Sequence, residues 1–296
     1  MTLPRQFLSN TTYFITRRTT QREFWLKPTK QTTQIFLYCI AIAAEKTGVV
    51  VHSATVVSNH WHCIATDPHM KIAEFYGWVH KYVAKAVNCL KGREENLWSN
   101  DKPSVIPLES AEIVLDKVTY TLCNPVSAQL VARATSWKGV WLYKKSHSQI
   151  VQRPNIYFKT DGEMPAQIEL RICPPPSHAD MSADAYESMV ATETSRREQE
   201  IAVEMRAANR TFMGMDAVMR QAHNDKPKTP AKRRALNPKF AEKDKNLRNS
   251  AIKRHKKFVA DYMAARKAYR TGNRDVIFPC GTYALRIHAG VSVAPG

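Results

Sequence analysis

The chain has 296 residues, 44% of them hydrophobic, which is room for one large domain or for a core domain with extensions. Its formal charge of +18 points to a polyanionic partner, nucleic acid ahead of an anionic membrane surface. No run approaches the roughly 18 apolar residues of a membrane span, the first ten residues carry no apolar leader segment, and the six cysteines are scattered with no CxxC pair. That cysteine usage fits reduced thiols in a cytoplasm (or on a nucleoid) better than a disulfide framework or a zinc site.

In chain order, Thr12 to Thr16 alternates and is β-branched and aromatic, so it reads as a strand ending in Arg17 and Arg18. Thr32 or Thr33 can cap a helix running to about Lys46, with Gly48 as its stop. Val49 to Val57 is strongly β-prone, Ser58-Asn59 is a plausible turn, and His60 to Thr66 reads as a second strand broken by Asp67-Pro68. Ile72, Phe75, Val79, Val83, Val87 and Leu90 fall at helical spacing, and Gly92 ends that helix. Val105-Ile106 suggests a short strand. Ser110 can cap a helix carrying Ile113, Val114, Val118 and Leu122, which Pro125 terminates. Strand, helix, strand, strand, helix, strand and a further helix is an α+β, ferredoxin-like (RRM-like) order with an appended helix.

Beyond about residue 145 the composition shifts. Residues 146–296 read as a basic, mainly helical extension to a domain spanning 1–145. Gln152 to Pro176 bears one alternating patch (Ile168, Leu170, Ile172), Ala183 to Gln221 and Phe258 to Arg270 are expected to be helical, and Ile277 to Tyr283 reads as a loop or short hairpin. Lys226 to Lys257 is strongly basic, including Lys232, Arg233 and Arg234, against only Glu242 and Asp244.

Residues i and i+2 of a strand share a face, so His60 and His62 point one way and Trp61 the other, into a core. Two adjacent imidazoles can occupy two positions on one divalent ion; two surface histidines on a half-exposed strand are the plainer account. A hydrolase of the HxHxD type is disfavoured, because Ile64 stands where the Asp belongs. Tyr120 and Asn124, at i and i+4, neighbour one another on a helix face. Asn124 precedes Pro125, where helix is disfavoured, so its side chain is expected near a frayed end, free to turn to a ligand. An amide oxygen is a competent third ligand for Mg²⁺ or Mn²⁺. The plainer account is an amphipathic-helix tyrosine followed by a helix-ending asparagine.

Together, the stretches Val57–Ala65 (VSNHWHCIA) and Tyr120–Val131 (YTLCNPVSAQLV) resemble the hairpin and the tyrosine helix of HUH (His-hydrophobic-His) single-tyrosine transposases, specifically the REP-associated tyrosine transposases. Tyr13–Arg18 (YFITRR) is similar to that family's opening strand, and Asn96-Leu97-Trp98 to the segment before the tyrosine helix. The tail resembles the family's extended form at Arg153–Phe158 and Phe278–Tyr283. Ser58 stands for the usual Pro, Thr19 for a Gly, and Ser127 for an Arg whose loss removes a phosphate contact. Asn124, rather than Gln, points to the REP-associated branch.

The resemblance implies a DNA-nicking and rejoining enzyme with Tyr120 as nucleophile and His60, His62 and Asn124 holding Mg²⁺ or Mn²⁺. It implies a 5′-phosphotyrosine intermediate, single-stranded or hairpin-forming palindromic DNA as partner, no membrane, and a monomer rather than a homodimer. A domesticated DNA-binding protein on the same fold is the competing expectation, and an RRM-like RNA binder is a third, disfavoured because the central strands carry His60 and His62 where it needs aromatics. Arg17, Arg18, Lys71, Lys81, Lys85, Lys91, Lys232, Arg233 and Arg234 are the expected phosphate contacts. Trp98, Trp137 and Trp141 could stack on bases, with core burial the stronger expectation for each.

Overall fold

The computed structural model describes residues 4–159, 161–229 and 239–295. Its centre is a five-stranded antiparallel sheet of order β4-β1-β3-β2-β5, built from β1 (Thr11–Arg18), β2 (Val50–Val57), β3 (His60–Asp67), β4 (Ser104–Leu108) and β5 (Trp141–Leu142). The first four strands, with helices α1 (Lys30–Thr47) and α2 (Ile72–Lys91), form the expected ferredoxin-like arrangement, and β5 adds a strand beside β2.

Strand alternation sorts the side chains onto two faces. Tyr13, Ile15, Trp61, Cys63 and Ala65 pack with α1 and α2, while Phe14, Ile64, Ile106 and Leu108 pack with α3 (Ala111–Leu122). Each fully buried large apolar side chain contributes about 1.5–3 kcal/mol, so both helix layers are firmly seated. Trp61 is fully buried, as its parity requires, and its indole N–H donates to His80 Nε2 at 3.1 Å.

Helix ends differ in detail from the sequence expectation. The first helix begins at Lys30, because Thr29, following Pro28, adopts the extended conformation of a cap and its hydroxyl accepts from Thr32 N at 3.1 Å. Asp67 does more than break a strand: its carboxylate accepts from the backbone N–H of His69, Lys71 and Ile72, anchoring the start of α2. Ser110 caps α3 as expected, worth about 1 kcal/mol. Pro125 does not end the helical path. A break at Cys123 is followed by one further turn, α4 (Asn124–Ser127), in which the proline occupies a first-turn position that needs no N–H.

The C-terminal half wraps the core. Strands β6 (Gln149–Gln152) and β7 (Gln167–Leu170) form a separate hairpin that covers α1 with Val151, Ile168 and Leu170; Ile172 follows on the same patch. Helix α5 (Ala183–Ala207) lies on α3 through Tyr186 and Val190. Gly214, in a positive-φ conformation, separates it from α6 (Met215–Arg220). Helix α7 (Lys245–Arg270) takes up the second half of the basic tract, and α8 (Ala284–Ala289) follows. Residues 277–283 join both termini: Gln6 bridges to Thr282, and Phe7 N donates to Gly281 O at 3.1 Å. A Cβ on Gly281 would stand 2.5 Å from Gln6 Cγ and 2.9 Å from Phe7 O, so that crossing admits only glycine.

Candidate active site

The two-residue connection Ser58-Asn59 fixes where β3 begins. Ser58 O accepts from Leu26 N and Asn59 O from Thr19 N, both at 2.8 Å, so the hairpin tip is stitched to the β1–α1 connection. His60 and His62 therefore emerge from a rigid backbone on the α3 face of the sheet, with ring centroids 4.8 Å apart.

Their proton positions follow from their partners. Asn59 Oδ1 can only accept, so the His60 Nδ1–H donates to it (2.7 Å) and leaves Nε2 with a free lone pair. Asn124 Nδ2 can only donate, so it gives a hydrogen bond to His62 Nε2 (3.0 Å), and the His62 Nδ1–H donates to Thr16 Oγ1 (2.9 Å). Both imidazoles thus turn a basic Nε2 toward Asn124, each held in its tautomer by a partner on the opposite nitrogen. Burial pushes the His60 pKa down to about 4; the Asn124 side chain opposes that shift and the nearby charge of Arg22 adds to it. His62 is pushed well below the usual range by burial and by His60. Neutral imidazoles at physiological pH are the ligating form.

Asn124 is 5% exposed and sits at the start of α4, not at a frayed end. Its side chain is packed over the His pair, and its Oδ1 is buried with no hydrogen-bond partner. An orphaned buried carbonyl oxygen has a desolvation cost of about 1–3 kcal/mol, which a cation would remove. Turning the amide over exchanges Oδ1 with Nδ2 and brings an oxygen to the lone pairs of the two histidines. Two imidazole nitrogens and one amide oxygen are a mixed donor set of the kind that can hold a divalent cation, with positions left for other ligands. No group of three or more His, Cys, Asp and Glu side chains suited to a metal occurs among the described residues.

Tyr120 completes the arrangement. Its ring stands edge-on to His62 with centroids 5.6 Å apart. Phe14 packs against both, stacked on His62 at 5.3 Å and edge-on to Tyr120 at 6.0 Å. Tyr120 is 40% exposed, so it is accessible to a macromolecular substrate, while the surrounding protein still raises its hydroxyl pKa. Lys117, one turn earlier, places its ammonium 5.7 Å from the ring centre.

The other expected contacts distribute unevenly. Arg18 is opposite His60 in the β1–β3 register, on the same face, and pairs at the surface with Asp101 (2.9 Å). Arg17 is opposite Trp61 and faces the other layer, with Nη1 3.1 Å from His80 Nδ1. Lys81 and Lys85 lie on α2, also across the sheet from the histidines, over the rings of Tyr82 and Tyr157. Lys91 Nζ donates to His223 Nε2 at the end of α2. Lys71 stands at the start of α2. Lys232, Arg233 and Arg234 lie outside the described residues. The three tryptophans follow the core expectation: Trp98 and Trp137 are buried, Trp141 is partly so, and their indole N–H groups donate to His80 O, Val56 O and Leu122 O.

Sequence reasoning passed over Thr16, Phe14 and Arg22. The first two share the histidine face by simple alternation from β1, a signal present once the register is known. Arg22 has no such signal. It adopts φ 65° in the tight connection after β1, its carbonyl accepts from Asn59 Nδ2 (3.0 Å), and its guanidinium donates to Thr229 O and Oγ1. The first residues of the basic tract are thereby drawn toward the His60 end of the sheet.

No family model and no curated protein matches the chain. Among solved structures it is similar to a REP-associated tyrosine transposase bound to a REP hairpin, at 18% identity over 46% of this chain and 79% of the other, with a TM-score of 0.40. It is also similar to a proposed transposase of Deinococcus radiodurans R1, at 16% identity over 37% of this chain and 87% of the other, with a TM-score of 0.29. Both are described as transposases. At these identities and TM-scores neither similarity assigns an activity or a site.

Proposed function

We propose that this chain is a DNA-processing enzyme of the transposase type, which nicks and rejoins single-stranded DNA through a tyrosine. The observation that carries the reading is the meeting of Tyr120 with His62, 5.6 Å between ring centres, at a site where His60 and an otherwise unpartnered Asn124 oxygen complete a cation-ligand set. A half-exposed phenol beside such a set suits in-line attack on a phosphodiester. The Tyr120 oxygen bonds to phosphorus, the bond from phosphorus to the 3′ oxygen breaks, and that oxygen leaves as a 3′-hydroxyl after taking up a proton. The 5′-phosphotyrosine retains the phosphodiester energy, so a second 3′-hydroxyl can reverse the step and join strands.

His60, His62 and Asn124 would hold Mg²⁺ or Mn²⁺, which when bound supplies charge neutralisation at the scissile phosphate. Burial works against ionisation of the Tyr120 hydroxyl, and the nearest cation to its ring that could oppose this is the Lys117 ammonium, 5.7 Å from the ring centre. Arg22 and Arg18, both close to the His60 end, are the cations placed to meet DNA phosphates there. A hairpin-forming palindrome is the proposed substrate class, read as single-stranded at the cleavage point, and the protein is proposed to act as a monomer in the cytoplasm, at the nucleoid. No described helix is long and apolar enough to cross a membrane.

The test is a suicide-oligonucleotide assay with the full chain and Mn²⁺ or Mg²⁺. A protein–DNA band that survives denaturation, needs the cation and disappears in Tyr120→Phe supports the enzyme. DNA binding without any such adduct leaves a binding protein and rejects it.

A further inference from the structure

Helix α3 carries Tyr120, yet Tyr120 is 40% exposed and so is not fixed by its own burial. A cluster of directional contacts lies one turn earlier. Asp116 is i−4 to Tyr120, on the same helix face. Its carboxylate is 12% exposed and meets three cations, each at 2.8 Å: Lys117 Nζ from α3 itself, Arg197 Nη2 from α5, and Lys243 Nζ from the segment before α7. Burial alone would raise its pKa, and these partners together outweigh burial and hold it far below the usual carboxylate range.

The neighbouring residue of that segment grips the same helix at its start. Glu242 is 6% exposed, and its Oε1 accepts from the backbone N–H of Glu109 and Ser110 at 3.0 and 3.1 Å, while its Oε2 accepts from Ser110 Oγ at 2.9 Å. A carboxylate there also meets the positive end of the helix dipole. Arg254 of α7 pairs with Glu109 beside it. At the other end of the helix, Cys123 Sγ donates to Thr194 O of α5 at 3.5 Å.

The apolar contacts of α3 seat it on the sheet without directional bonds. The polar contacts add directional ones. A rotation that swings Tyr120 away from His62 carries Asp116 out of reach of Arg197 and Lys243, because the two residues share a face. We propose that the Asp116 hub and the Glu242 cap are a clamp by which the C-terminal extension holds the tyrosine helix in rotational register with the His60–His62 pair of the same chain. Asp116 and Glu242 are then positioning residues for Tyr120. This rests on the reading of Tyr120 as the nucleophile.

The experiment compares the full-length wild type with Asp116→Asn, which keeps the shape and removes the charge, Asp116→Glu, which keeps the charge, and Lys243→Ala at an exposed lysine whose loss does not threaten folding. Two readouts are taken: backbone hydrogen exchange across residues 111–122, and single-turnover adduct formation at saturating oligonucleotide together with the oligonucleotide Kd. The expected result is exchange at least tenfold faster in Asp116→Asn and threefold faster in Lys243→Ala. Adduct formation slows by similar factors, Kd stays within twofold, and Asp116→Glu recovers part of the rate. Unchanged exchange in both variants, or faster exchange with an unchanged adduct rate, overturns the proposal. If the wild type forms no adduct at all, the nucleophile reading has failed, and the exchange measurement alone decides whether the clamp holds the helix.

Discussion

Asn124 Nδ2 sits 3.0 Å from His62 Nε2, so the amide at the start of α4 and the imidazole on β3 are paired across 62 positions of sequence. The pair leaves the other end of the amide, Oδ1, buried and unmatched. Replacement by leucine is expected to fill the space without offering a donor atom. Mn²⁺ affinity measured by calorimetry should fall at least tenfold, with little change in melting temperature in the presence of chelator. Equal Mn²⁺ affinity in Asn124→Leu and wild type would remove Asn124 from the ligand set.

Thr16 holds the tautomer of His62 through its hydroxyl at 2.9 Å. Thr16→Val keeps the shape and loses that acceptor. Partners of this kind are worth about 10–100-fold in metal affinity. A loss in that range is expected by the same calorimetry, with Tyr120 untouched. An affinity within twofold of wild type shows that Thr16 has no such role.

Lys117 stands over the Tyr120 ring. Because burial already raises the tyrosine pKa, removing a cation raises it further. The adduct-forming rate of Lys117→Met should therefore rise with pH later than that of wild type. A profile unmoved, or moved to lower pH, contradicts the electrostatic role.

Stability should fall as the solution is acidified below neutral. His52 is 1% exposed, donates from Nδ1 to Cys173 O at 2.8 Å, and has its pKa depressed by burial to about 4. His80, buried between Trp61 and Trp98, is also depressed, by burial first and then by Arg17. Between the unfolded value near 6.5 and the folded value, the unfolded chain binds these protons and the native protein does not. The stabilisation is therefore complete above about pH 6.5 and is lost as pH falls toward the folded pKa. Each such histidine contributes a slope of up to about 1.4 kcal/mol per pH unit. Melting temperatures from pH 7 to pH 4.5 test this, with His52→Gln expected to flatten the slope.

The first half of the molecule was legible because its signals are local. The period-two run of β2 and β3, the helical spacing from Ile72 to Leu90 and the cap at Ser110 each need only near neighbours. Their order then restricts the sheet to few topologies. His60, His62 and Asn124 lie together, Asn124 within hydrogen-bond distance of His62. What was not legible depends on contacts between distant segments. Arg17 and Arg18 are adjacent in sequence, but only the β1–β3 register decides which one shares the histidine face. Lys81 and Lys85 are expected phosphate contacts by charge, yet α2 lies across the sheet from the histidines. Gln149–Gln152 has too little pattern to mark a strand until Gln167–Leu170 pairs with it. The two far partners of Asp116 are 81 and 127 positions away, beyond any local sequence signal.

The β6–β7 hairpin has a practical consequence. Val151, Ile168 and Leu170 from this hairpin, with Ile172, join the core cluster that contains the buried face of α1, and Tyr38 of α1 donates to Pro165 O between the two strands. A shortened protein ending near residue 145 would bare that apolar helix face. It is expected to precipitate during expression, so dissecting the tail is better done by point substitution than by deletion.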